Sequence, residues 1–165
     1  MKTALVLIPV VLAVGLILST KMGMVGKDII LPGAGVDVQE RIAYHANQWG
    51  LELALVKAVA KVESNFNPKA KNPSDPSYGL MQITPGLAYD YGLIKNYKNP
   101  TQTEIDWMMD INNNLSVACD FMYRLDKYSF QQKVMSYNVG EQGYKNGYRN
   151  WDYFDKIRGY YEKYS

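Results

Sequence analysis

The sequence predicts a mostly α-helical single domain with at most a small β-hairpin, preceded by an N-terminal hydrophobic helix. Three observations carry this. Apolar residues recur at spacings of three and four along most of the chain after residue 37, capping and stop residues bracket those stretches, and almost no segment alternates with the period of a strand. With 165 residues, 47% of them hydrophobic and 21% charged, the chain can bury one real core and falls outside the disordered and fibrous classes.

Residues 1–20 differ from the rest. Lys2 is followed by an uninterrupted apolar run from Ala4 to Leu18, then by Ser19, Thr20 and Lys21. A basic start and a hydrophobic segment are the layout of an export signal. The run lacks an A-x-A cleavage pattern, is short for a spanning helix and contains Pro9, so signal peptide and retained membrane anchor both stay open. Either one delivers the remainder to an exported, periplasmic or cell-envelope location. Residues 21–36, with four glycines and one proline, read as a linker. Residues 37–165 form the folded domain.

The elements of that domain follow in order. Asp37 and Glu40 resemble a capping box ahead of Val38, Ile42, His45, Ala46 and Trp49, and Gly50 stops this first helix. A second helix runs from Leu51 to about Ser64, with Leu53, Val56, Val59 and Ala60 as its core stripe. Pro68, Pro73 and Pro76 break regular helix afterwards, leaving room for a hairpin between residues 66 and 84. Thr84-Pro85 opens a short helix that Gly92 ends. Thr101 and Glu104 cap a helix carrying Ile105, Met108 and Met109. Leu115, Ala118, Met122 and Leu125 mark a longer one reaching about Tyr128, and a shorter one spans Phe130 to Asn138. Residues 139–150 read as a loop, and a last helix places Phe154, Ile157, Tyr161 and Tyr164 on one face.

Composition excludes several functions. Of the 18 Lys and Arg, only Lys2 lies in the first 19 residues, which leaves 17 basic against 16 acidic residues in the rest. That balance, with no basic run, argues against a nucleic-acid partner. The single histidine, His45, reads as a packing residue on the first helix, and the single cysteine, Cys119, as a buried helical residue. No metal site follows from either, and no cofactor motif is present: Gly33-Ala34-Gly35 follows no strand.

One residue stands out chemically. Val56, Val59, Ala60 and Glu63 share a helix face, so the apolar stripe ends in a carboxylate. Desolvation raises a carboxyl pKa, and a raised pKa suits a general acid working near neutral pH. Spacing alone also allows a glutamate that simply reaches water.

The neighbouring segments add a resemblance. Glu63 begins E-S-N-F-N-P, Gly79 begins G-L-M-Q-I, and Tyr137 begins Y-N-x-G. Asn114-Leu115, with Ala118, Phe121, Met122 and Leu125, is similar to a helix motif of the form N-I-x-x-G-x-x-Y-L-x-x-L. In this order they resemble the soluble lytic transglycosylase (SLT) family, which shares the goose-type lysozyme fold, over roughly Val38 to Tyr164. Ala118 stands where the family commonly has Gly, and Phe121-Met122 where it has Tyr-Leu; both preserve apolar packing.

The resemblance implies a lysozyme-like domain acting on peptidoglycan without a cofactor. It implies cleavage of the bond between N-acetylmuramic acid and N-acetylglucosamine with formation of 1,6-anhydro ends. Glu63 is then the single catalytic residue, first as acid and then as base. By the same analogy Ser64 orients the Glu63 carboxylate, and Met81 and Gln82 line the groove. Tyr137 points its hydroxyl at Glu63 or the charged sugar, Asn138 holds backbone or substrate, and Tyr78 is groove wall or loop surface. Gly79 and Gly140 allow tight backbone, while Phe66, Leu80 and Ile83 read as core.

Two alternatives remain beside this reading. A hydrolytic muramidase would need a second carboxylate, with Asp75 and Asp90 as candidates. A wall-docking domain of a secretion or bacteriophage assembly would keep the groove with little turnover.

Overall fold

A computed structural model describes residues 37–165. The expected hydrophobic segment at 1–20 and the linker at 21–36 lie outside the described residues. Among the described residues no helix is long and apolar enough to cross a membrane.

The elements run α1 (Val38–Trp49), α2 (Leu53–Ser64), β1 (Lys71–Asn72), β2 (Ser77–Tyr78), α3 (Pro85–Asp90), α4 (Gln102–Met109), α5 (Ile111–Arg124), α6 (Phe130–Val139), α7 (Glu141–Lys145) and α8 (Trp151–Tyr164). The expected class therefore holds: helices with one antiparallel two-stranded ladder, Lys71 opposite Tyr78 and Asn72 opposite Ser77.

Local chemistry sets the boundaries. Asp37 caps α1 by accepting from the Gln39 N–H at 2.8 Å, rather than through a reciprocal box with Glu40. Gly50 takes the left-handed conformation, φ 65°, which lets the chain reverse into α2 within three residues. Thr84 and Pro85 open α3, and Thr101 with Glu104 makes a full capping box on α4. Asp110 ends α4 and caps α5 at once, so this helix pair bends without a loop. Ser129 and Gln132 form a second box at α6.

Three expectations change in detail. The second helix starts at Leu53, and this shifts its stripe: Leu53 is 40% exposed while Leu55 is buried beside Val56, Val59 and Ala60. The long helix stops at Arg124, not near Tyr128. The stretch expected as loop at 139–150 contains α7. Its Glu141 carboxylate accepts from the Tyr128 hydroxyl and pairs with Lys127 and Lys145, which fixes a turn of helix too short to leave a periodic signal.

The core gathers Ile42, Val56, Met81, Leu115, Met122 and Ile157, all essentially sealed from solvent. Cys119 is buried within it, and burial pushes its thiol up to about 12. His45 is buried as well, and desolvation lowers its pKa. The most extensive helix pairing is α2 against α8. Tyr153 bonds Glu63 at one end of that pair and Tyr161 bonds Glu52 at the other, so the two helices run antiparallel.

Candidate active site

Glu63 occupies the last turn of α2. Immediately after it the chain turns through two left-handed residues, Asn65 (φ 53°) and Phe66 (φ 65°), whose N–H groups return to the carbonyls of Lys61 and Ala60. Asn tolerates this conformation; a phenylalanine there stores strain of about 1–3 kcal/mol. The turn ends the helix one residue after Glu63, whose side chain is partly exposed.

The carboxyl has one hydrogen-bond partner from far along the chain. Tyr153 of α8 donates its hydroxyl to Glu63 Oε1 at 2.6 Å. Burial raises the Glu63 carboxyl to about 7, and the Tyr153 bond pulls in the opposite direction. Desolvation wins, so the group holds and loses its proton near neutrality. Burial and the neighbouring carboxyl both keep the Tyr153 phenol protonated well beyond its ordinary range. It therefore acts toward Glu63 as a donor at every working pH.

The loop held against the end of α2 is Gly79–Ile83. Its backbone pairs with itself through Tyr78 and Ile83, 3.0 and 3.1 Å, and Gln82 sits at φ 49°. Such a turn leaves N–H and C=O groups without sheet or helix partners, and three helices supply them. From α5, Asn114, 0% exposed, accepts from the Met81 N–H at 2.7 Å and donates to the carbonyls of Tyr78 at 2.8 Å and Met108 at 2.7 Å. From α2, Ser64 donates to the Leu80 carbonyl at 2.7 Å. From α6, Tyr137 donates to the Met81 carbonyl at 2.9 Å. Gly79 is required here: at φ 78° its Cβ would lie 2.5 Å from Asn114 Nδ2.

This arrangement revises several expected roles. The Ser64 hydroxyl is used on Leu80 and Ala60, so it fixes the end of α2 against the loop instead of touching the carboxylate. Met81 is fully buried and belongs to the core rather than to a groove lining. The Gln82 amide turns inward: its Oε1 accepts from Ser77 Oγ at 2.7 Å and its Nε2 donates to Gly79 O at 2.8 Å. Tyr137 gives its hydroxyl to Met81, not to Glu63, although Glu63 is near enough to help raise its pKa. Tyr78 is half-buried against the core. Asn138 is exposed and accepts from Asn150 Nδ2 at 2.9 Å, joining the end of α6 to the start of α8. Gly140 takes φ 76° between α6 and α7. Phe66 is half-buried, while Leu80 and Ile83 are core.

Tyr153 is the residue that sequence reading missed. A signal existed: it lies four before Ile157 and so shares that helix face. Asn114 heads the helix motif quoted above; its role in holding the loop was not assigned from the sequence.

Asp75 and Asp90, the candidate second carboxylates, are both exposed, and neither shifts the titration of Glu63. A lone carboxyl poised near pH 7, with a fixed donor on one oxygen, can give up a proton and take one back.

A model of the transglycosylase SLT domain family matches residues 40–157. Among curated proteins none matches the sequence. Among solved structures the chain is similar to the X-ray structure of an inactive mutant of the lytic transglycosylase Slt from Pseudomonas aeruginosa, with 18% identity and a TM-score of 0.48. That similarity covers 94% of this chain and 28% of the other, so the chain spans less than a third of that protein's length.

Proposed function

The chain belongs to the transglycosylase SLT domain family, and from that premise we propose that it is a glycan-cleaving enzyme acting on peptidoglycan. Its reaction breaks the β-1,4 bond between N-acetylmuramic acid and N-acetylglucosamine and leaves 1,6-anhydro-N-acetylmuramic acid ends. The observation that carries this reading is the Glu63 carboxyl, raised to about 7 and bonded to Tyr153, with no second acid among the described residues influencing it.

The steps balance on this one group. Protonated Glu63 gives its proton to the glycosidic oxygen as that bond breaks. The positive charge on the sugar is relieved by its own N-acetyl group. The Glu63 carboxylate then takes the proton from the C6 hydroxyl as that oxygen closes on C1. No water enters, and Glu63 ends protonated as it began.

Tyr153 gives the two oxygens of Glu63 different tasks. Oε1 accepts from the phenol throughout, which leaves Oε2 as the oxygen that carries the mobile proton. A hydrogen bond to a charged acceptor is about twice as strong as a neutral one, so the Tyr153 bond tightens as Glu63 ionises. It supports the developing carboxylate without moving. The N–H and C=O groups of the Gly79–Ile83 loop are held by Ser64, Asn114 and Tyr137, which fixes this wall relative to Glu63.

Peptidoglycan lies outside the cytoplasmic membrane, and the apolar segment at residues 1–20 supplies a route to it. Anchoring through that segment and work within a secretion or virion assembly are part of this proposal.

The test is product analysis. The full chain is incubated with purified peptidoglycan and the released fragments are weighed. Anhydro ends are expected; reducing ends would make the enzyme a hydrolase and overturn the reading.

A further inference from the structure

Large aromatic rings left in water call for an explanation when the chain around them is tightly braced. Tyr148 is 66% exposed and Trp151 is 54% exposed. They flank Arg149 and Asn150, and each of those two residues makes local contacts. Arg149 stacks its guanidinium 3.6 Å from the Tyr144 ring centre and donates from Nη1 to the carbonyls of Tyr144 and Tyr148, both at 2.7 Å. Asn150 donates to Asn138 and accepts from the Tyr153 N–H at 3.0 Å. The Tyr148 N–H returns to the Gly143 carbonyl, and its ring lies over Gly143, where a Cβ would meet Cδ2 at 3.9 Å. Trp151 rests edge-on against Phe154, 6.1 Å between centres. The backbone of the segment is therefore braced while both rings stay more than half exposed.

Position gives these rings an occupant. Since α2 and α8 run antiparallel, the start of α8 lies at the end of the bundle that holds Glu63. Trp151 is the first residue of that helix. A sugar ring presents a face of C–H groups bordered by hydroxyls and acetamides, and it packs on a flat aromatic surface beside amide side chains. The Asn138–Asn150 amide pair, with Asn138 exposed, joins the end of α6 to the same helix start.

We infer that Tyr148 and Trp151 form a sugar-stacking platform, which binds an N-acetylhexosamine unit of the glycan strand away from the bond being cut. The inference rests on the proposed action on peptidoglycan and deepens it. The platform contributes binding and takes no part in proton transfer.

The test separates binding from turnover. In the full chain carrying Glu63→Gln, the affinity for soluble, uncross-linked peptidoglycan glycan strands is measured with and without Trp151→Ala and Tyr148→Ala. Each alanine is expected to weaken binding roughly three- to tenfold, the scale of one lost aromatic contact, and Trp151→Phe to restore most of it. In the Glu63 enzyme, Trp151→Ala should raise KM by a similar factor with a smaller change in kcat. Both residues are more than half exposed, so thermal melting checks that neither variant has unfolded. Unchanged binding in both alanine variants overturns the platform while leaving the proposed reaction standing. Glycan binding that depends on Trp151, in a Glu63 chain that cleaves nothing, supports the platform and overturns the reaction. Failure of the parent Glu63→Gln protein to bind glycan at all overturns the platform.

Discussion

The Tyr153 hydroxyl meets the Glu63 carboxyl at 2.6 Å across 90 residues of sequence, joining the last turn of α2 to the first turn of α8. Burial raises the carboxyl to about 7 and the phenol bond restrains the rise, so these two residues together set where Glu63 titrates.

Tyr153→Phe keeps the ring and removes the donor. The carboxylate loses its stabilising bond, so its pKa moves further up and the alkaline limb of the pH–rate profile moves to higher pH. The rate at the optimum falls by roughly tenfold or more, the worth of one hydrogen bond to a charged group. A pH–rate profile of both proteins checks this, and superimposable profiles would contradict it.

The raised carboxyl also predicts a stability trend. Glu63 ionises near its ordinary 4.5 in the unfolded chain but near 7 in the folded one. The folded state therefore binds more protons between those values, and stability is full below pH 4.5 and lost as pH rises through 7, by up to about 3 kcal/mol. Glu63→Gln removes the loss. Its Tm relative to wild type should climb from pH 4.5 to pH 8; a constant gap would refute the assignment.

The loop wall should be sensitive at two points. Asn114→Ala strands the Met81 N–H and the Tyr78 and Met108 carbonyls in the interior, at a cost on the order of 3 kcal/mol. Gly79→Ala must displace Asn114 as well as hold a positive φ, and should cost about as much. Urea denaturation measures both, and a change under 1 kcal/mol in either would show that the loop relaxes freely.

Ser64→Ala separates two roles. Loss of the bond to Leu80 should lower stability by about 1 kcal/mol and leave the midpoint of the pH–rate profile unmoved, because the hydroxyl does not touch the carboxyl. A shifted midpoint would return Ser64 to direct orientation of Glu63.

Much of this was legible in the sequence, for physical reasons that vary along the chain. Caps and stops are local, so Asp37, Gly50, Thr84-Pro85 and Thr101 with Glu104 marked real boundaries. Glu63 was legible because it continues the buried stripe of Val56, Val59 and Ala60. Tyr153 was not, because its partner is set by the antiparallel packing of α2 on α8, which no local pattern encodes. The resemblance points Ser64 at the Glu63 carboxylate, Gln82 into a groove and Tyr137 at Glu63 or the charged sugar. The left-handed turn at Gln82 leaves loop backbone groups in need of partners, and those side chains are drawn inward to them. The helix at 141–145 escaped notice because one turn, with Gly143 inside it, shows no period.

The central claim is that Glu63 alone supplies and recovers the proton. Its most direct test is the rate at which the full chain releases fragments from purified peptidoglycan, wild type against Glu63→Gln. The amide can neither give nor take the proton, so the account predicts a loss of about 10² to 10⁴ in rate with glycan binding retained. A variant that cleaves at a rate close to wild type would show that the proton comes from another group, and the account would fail.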